Sequence, residues 1–162
     1  MPHTSGMRGL AFDPGYERLG VAVVEKQNGK ERLLHSACMR TSAALPFATR
    51  LKELGAATEA LIKKWEPSAV ALEEVYFKNN AKTAMQVAEV RGVLTYLAAA
   101  RDLPVHQYTP MEVKVATTGY GGSDKRAVGL MVRRLITVPA GKKLDDELDA
   151  IAVGITCLAS LR

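Results

Sequence analysis

The stretch GLAFDPGYERLGVAVVEKQNGKERLLHSACM, Gly9 to Met39, decides the fold. A strand-like run from Gly9 to Asp13 is broken by Pro14-Gly15, resumes from Leu19 to Val24, is broken again at Asn28-Gly29, and resumes from Arg32 to Met39. Proline fixes φ and removes a donor, and Asn-Gly between two apolar runs is the strongest short-range hairpin signal. Three consecutive antiparallel strands are expected. At Phe47 the period changes: Phe47, Leu51, Leu54, Leu61 and Trp65 recur at helical spacing, and Pro67 closes that helix before the short buried strand Ala69-Val70-Ala71-Leu72. A helix from Ala81 to Ala100, a strand over Val105 to Tyr108, and helices over Met111 to Thr117 and Asp124 to Ile136 follow. A three-strand meander followed by alternating helices and strands predicts an α/β domain: a mixed five-stranded sheet with helices on both faces.

Between the last two of those helices, Thr118-Gly119-Tyr120-Gly121-Gly122-Ser123 is too rich in glycine to be helical and suits a mobile surface loop, with Ser123 as N-cap of the helix that follows. Leu148, Ile151, Ala152, Ile155 and Leu158 form one stripe, which predicts an amphipathic final helix packed on the sheet. Residues 1–7 read as a disordered leader or cloning remnant, with Met7 as a native start, and residues 8–162 as one domain.

The 22 Lys and Arg against 17 Asp and Glu give a formal charge of +5, a field that favours polyanionic partners without identifying one. Cys38 and Cys157 lie far apart and form no CxxC pair, so both are expected to be reduced, buried small hydrophobes. The longest apolar stretch, Ala150 to Leu161, falls short of the ~20 residues that span a bilayer. A cytoplasmic location is expected. His3, His35 and His106 are too scattered to form a metal site and read as packed or surface imidazoles.

Carboxylates gather at the ends of the elements. Asp13 ends the first strand, Glu73 and Glu74 end the fourth, and Asp145, Asp146 and Asp149 open the final helix. Strand ends and a docked helix start bring such residues together, and hard divalent cations take oxygen ligands. Each position also has an ordinary explanation: Asp13-Pro14-Gly15 as a strand-ending turn, Asp145 as an N-cap, Asp146 as a partner of the helix dipole. Adjacent glutamates point to opposite faces, so only one of Glu73 and Glu74 enters a shared site. Asp145 and Asp146, four and three residues before Asp149, are both compatible with pairing to it.

Four segments in order carry a resemblance to a known family: Phe12-Asp13-Pro14-Gly15; Glu73-Glu74-Val75-Tyr76; Asn79-Asn80-Ala81 with Ala88-Glu89-Val90-Arg91-Gly92; and Asp146-Glu147-Leu148-Asp149-Ala150-Ile151-Ala152. From about Arg8 to its last residues the chain resembles the RuvC Holliday junction resolvases. The resemblance implies a ribonuclease-H-like fold and a catalytic, metal-binding tetrad of Asp13, Glu73, Asp146 and Asp149, so it selects Glu73 over Glu74 and Asp146 over Asp145. It places Lys114 and Lys125 near the scissile phosphate. Either can be read as a solvated helix charge, the usual fate of a lysine, but Lys125 follows a glycine-rich loop at a predicted helix start, where backbone N–H groups and a positive side chain meet phosphate, and function is favoured for it. Tyr76 matches the aromatic that stacks on an unpaired base at the junction centre. Tyrosine there departs from the commoner phenylalanine, and leaves Phe77 as the other candidate. Ala11-Phe12 before Asp13 is a second, bulkier departure.

What this implies is a Mg²⁺-dependent crossover junction endodeoxyribonuclease, with two ions per subunit and Mn²⁺ as a substitute, acting as a homodimer on four-way junction DNA. The branch-migration helicase and junction-binding proteins of the same pathway are the expected partners. Lys78, Lys82, Arg91, Lys114, Lys125 and Arg126 are candidates for DNA contacts, with Arg133, Arg134, Lys142 and Lys143 behind them. Two alternatives remain: a non-cleaving junction-binding protein of the same fold, and a nucleotide-binding ATPase of the actin superfold. The second needs another large subdomain that these 162 residues do not supply.

Overall fold

The computed structural model describes residues 6–15, 17–75 and 81–161. Strand β1 (Met7–Pro14) runs antiparallel to β2 (Arg18–Gln27), and β2 antiparallel to β3 (Lys30–Arg40). Asn28 and Gly29 turn the second hairpin with φ of 52° and 74°, the doubly positive pair that a two-residue turn requires. After helix α1 (Phe47–Trp65), strand β4 (Ala69–Glu73) lies parallel to β1, and after α2 (Ala81–Ala99), β5 (Val105–Tyr108) lies parallel to β4. The sheet order is β3-β2-β1-β4-β5. Helices α3 (Pro110–Thr118), α4 (Lys125–Leu135) and α5 (Asp145–Ser160) complete the chain.

Strand alternation divides the core in two. Leu10, Phe12, Leu19, Val21, Val23, Val70 and Leu72 pack against α1 and α2, whereas Ala11, Ala22, Val24, Ala69 and Ala71 pack against α5 and its neighbours. Helices therefore cover both faces. The second face is made of small residues, which lets α5 lie close: a Cβ on Gly154 would stand 2.9 Å from a Val24 methyl.

Three expectations are corrected. Helix α5 is not amphipathic over its centre, because Ala150 to Leu158 are all buried, between the sheet on one side and α3 and α4 on the other. The N-cap of α4 is Asp124, whose side chain accepts from the Ala127 N–H at 2.8 Å. Ser123 instead meets the Thr118 hydroxyl at 2.7 Å and ties off the glycine-rich loop. Cys38 is only half-buried, since β3 is an edge strand, while Cys157 is buried and both thiols are free. The two central histidines do pack: His35 stacks on Trp65 and His106 on Tyr108.

Candidate active site

In the β1–β4 ladder Phe12 pairs with Leu72, so Asp13 and Glu73 follow at the same ends of two neighbouring parallel strands. Asp13 shares the face of Gly9 and Ala11, and Glu73 that of Ala69 and Ala71, so both side chains point toward α5. Glu74 lies on the other side, in a separate hollow with Arg91 and Gln107. Alternation thus separates the two glutamates without any appeal to chemistry.

The helix start is brought in by a glycine. Gly20 faces Asp13 across the β1–β2 ladder, and a Cβ on it would stand 1.9 Å from the Asp146 carbonyl oxygen. Only a residue without a side chain lets the first turn of α5 settle there. Asp146 and Asp149, three residues apart, then line one cavity of about 440 Å³ together with Asp13, Glu73, Lys114 and Lys125. Asp145, the first residue of α5, is not among the lining residues, and the N-cap is Leu144, with no side-chain cap.

The lysines reach the cavity from helices whose starts are well defined. Thr109 and Glu112 form a reciprocal capping box at the start of α3, with Pro110 in the first turn, and this fixes the helix that carries Lys114. Lys125 is the first residue of α4, and its Nζ lies 3.1 Å from Asp149 Oδ2. Arg18, which sequence reasoning passed over, stands 3.8 Å from Asp146 Oδ2. Nothing in its strand position distinguishes it from an ordinary surface arginine.

So much negative charge in a half-closed space is costly to ionise. Burial, and then the charges of Asp149, Glu73 and Asp146, push the Asp13 carboxyl up to about 8 against the opposing pull of Lys125. Burial raises Glu73 as well, with Asp149 adding to it and Lys125, Lys114 and Arg91 opposing. Asp149 is raised by burial despite its bond to Lys125. Partial burial lowers Lys125, but its hydrogen bond to Asp149 and the charges of Asp149, Asp145 and Asp13 carry it above the usual lysine range.

Among the described residues, no three His, Cys, Asp or Glu side chains converge tightly enough to hold one ion as they stand. The donor set nevertheless suits a hard divalent cation: four carboxylates, all oxygen donors, face one lined cavity with two lysines to offset them.

The remaining cations divide into two groups. Lys82, Arg126, Arg133, Arg134 and Lys142 are exposed. Arg91 turns inward instead, donating to the Glu73 carbonyl and, at 2.6 Å, to Gln107 Oε1, so it braces the ends of β4 and β5. Lys143 is also drawn in, with its Nζ 2.9 Å from Glu147 Oε1. Tyr76, Phe77 and Lys78 lie outside the described residues.

Comparison with known proteins places this arrangement. Residues 9–157 match the family model of crossover junction endodeoxyribonuclease RuvC. The chain is 42% identical over 148 residues to the protein of that name from Roseiflexus sp., covering 91% of this chain and 88% of the relative. It is 41% identical over 150 residues to that of Leifsonia xyli subsp. xyli, covering 92% and 72%. Among solved structures it is similar to T. thermophilus RuvC in complex with a Holliday junction substrate, with TM-score 0.86, 33% identity, and coverage of 93% and 92% of the two chains.

Proposed function

Because the chain belongs to the RuvC family of crossover junction endodeoxyribonucleases, we propose that it resolves four-way DNA junctions by paired, metal-dependent phosphodiester hydrolysis in recombination and repair. The observation that carries this reading is the single cavity lined by Asp13, Glu73, Asp146, Asp149, Lys114 and Lys125. The carboxylates would hold Mg²⁺, two ions per subunit, with Mn²⁺ as a substitute. Bound there, the metal supplies Lewis-acid polarisation of the phosphoryl group and a water made acidic enough to attack at neutral pH.

The chain's own groups do the rest. Asp13, whose carboxyl is pushed up to about 8 by burial and by the charges of Asp149, Glu73 and Asp146, would serve as a ligand in its ionised form, which a bound cation would favour. Lys125, which is paired to Asp149 but largely exposed, can turn its ammonium to the phosphoryl oxygens as negative charge develops on them. Half-buried Lys114 adds a second cation on the same wall. Cleavage would leave 5′-phosphate and 3′-hydroxyl ends. Tyr76 would stack on a base at the junction centre, and Lys82 and Arg126 would contact phosphates.

A homodimer is part of the same proposal, since a two-fold enzyme matches a nearly two-fold junction. The outer face of α2 supports it: Met85 and Tyr96 are 65% and 70% exposed, and Ala88, Gly92 and Ala99 lie on the same side. Large apolar side chains left open to water, with Glu89 the only charged residue exposed between them, are better explained by a covering subunit. Branch-migration helicase and junction-binding partners are proposed from family membership alone.

The test is a Mg²⁺-dependent cleavage assay on a synthetic four-way junction, run beside a binding gel in calcium or EDTA. Symmetric nicks by the wild type, with Asp149→Asn binding but not cutting, are expected. Binding without cleavage in either Mg²⁺ or Mn²⁺ would favour the non-cleaving alternative.

A further inference from the structure

Glu147 stands between Asp146 and Asp149 in sequence, yet it does not line their cavity. It is 7% exposed, and its Oε1 accepts from the Ser36 hydroxyl at 2.5 Å and from Lys143 Nζ at 2.9 Å. Lys143 Nζ also lies 3.4 Å from Ser36 Oγ, which closes a three-membered cluster. Ser36 sits on β3 opposite Ala22, next along the same face from Cys38, which pairs with Gly20. The cluster therefore grips the first turn of α5 one strand beyond the glycine that receives the Asp146 carbonyl.

This turn needs such a grip. Its N-cap, Leu144, offers no side-chain acceptor, so no cap fixes where the first turn begins. Around a helix of 3.6 residues per turn, Glu147 lies about 100° from Asp146 and about 200° from Asp149, so a tether on Glu147 sets the rotation of both. A slip of ~20° about the axis would move a side-chain tip some 6 Å out by about 2 Å. That is the length of a Mg²⁺–oxygen bond, and Mg²⁺ demands near-ideal octahedral geometry where Ca²⁺ tolerates a looser shell.

We propose that Ser36, Lys143 and Glu147 form a positioning clasp that sets the rotation of the α5 first turn and so aims Asp146 and Asp149 at the cation in the cavity. The inference rests on the metal-binding reading above and goes beyond it. Glu147 is a positioning residue rather than a ligand, and Lys143 serves the clasp rather than the DNA.

The test is calorimetric titration of Mg²⁺ and of Ca²⁺ into the full-length protein, free of DNA, with melting temperatures measured alongside. Glu147→Ala is expected to weaken Mg²⁺ binding about 10-fold and Ca²⁺ binding distinctly less. Glu147→Gln keeps the acceptor for Ser36 while losing the charge, and should stay near the wild type. Ser36→Ala changes no charge and removes the hydrogen bond to Glu147 and the longer one from Lys143, so a loss of roughly 3-fold is expected. If Glu147→Ala melts lower but binds both ions like the wild type, the clasp only stabilises the fold and the inference is wrong. If Glu147→Gln matches Glu147→Ala while Ser36→Ala is silent, the effect is simple charge loss, which is equally fatal. Should Glu147→Ala not fold, the other two variants decide by the same criteria. A wild type that takes up neither ion overturns the metal reading itself and the clasp with it.

Discussion

Replacing Asp13 with Asn should make the metal-free protein more stable, and increasingly so as pH rises. Asp13 is protonated in the folded chain up to about pH 8, while in the unfolded chain it ionises near 3.8. Between those values unfolding releases a proton, so wild-type stability falls as pH increases, by about 1.4 kcal/mol per unit. Asparagine has nearly the same shape and no such proton. Over the two units from pH 5 to pH 7 the variant should therefore gain about 3 kcal/mol on the wild type, and for a domain of this size that is a melting-temperature difference of about 6–12 °C. The assay is thermal unfolding in EDTA at a series of pH values, repeated with millimolar Mg²⁺. Mg²⁺ should stabilise the wild type, most of all at the alkaline end, and should do little for Asp13→Asn. Parallel melting curves against pH for the two proteins in EDTA would refute the reasoning, as would a variant less stable than the wild type at pH 8.

The other expectations concern single side chains. Glu73→Gln should lose cleavage while Glu74→Gln keeps it in a single-turnover assay; the reverse would mean that the wrong glutamate has been placed in the cavity. Lys125→Met should slow cleavage of saturated complex by about 2–4 kcal/mol of transition-state stabilisation, with junction affinity in Ca²⁺ little changed. A loss confined to affinity would make it a phosphate-positioning residue. Tyr76→Phe should be nearly silent and Tyr76→Ala should cut intact junctions poorly, with partial rescue on a junction already unpaired at its centre, because base stacking is worth about 1–3 kcal/mol. If Phe77→Ala shows that selective defect instead, the stacking role belongs to Phe77.

Much of the fold is local and was therefore legible. Asn28-Gly29, Pro14-Gly15 and Pro67 punctuate the chain through backbone chemistry, and the observed strands and helices fall between them. The site was half legible: alternation along β1 and β4 places Asp13 and Glu73 on one face, but the choice of Asp146 over Asp145 came from resemblance, since both spacings share a helix face. What stayed hidden depends on distant partners. Arg91 and Lys143 read as free cations: the partners of Arg91, Gln107 and the Glu73 carbonyl, and Ser36 beside Lys143 lie on other elements, while Glu147, only four residues from Lys143, becomes its partner because α5 begins between them. The burial of α5 on all sides could not be read from its sequence, because the stripe of Leu148, Ile151, Ala152, Ile155 and Leu158 marks one buried face and does not reveal that α3 and α4 cover the other. Asp124, not Ser123, is the cap of α4, and the Ser123 hydroxyl is engaged with Thr118 instead.

The helix that carries Asp146 and Asp149 has Ala150 to Leu158 buried without a break, so it has no solvent-facing side along which to loosen. Segments of that kind open only with the domain as a whole. Heat inactivation should then track global melting rather than precede it, and random variation in this helix should be purged for foldability before it can tune the chemistry. Adaptation to a new junction sequence or temperature would have to come through the loops and α3–α4, leaving the carboxylate-bearing helix as the least evolvable part of the protein.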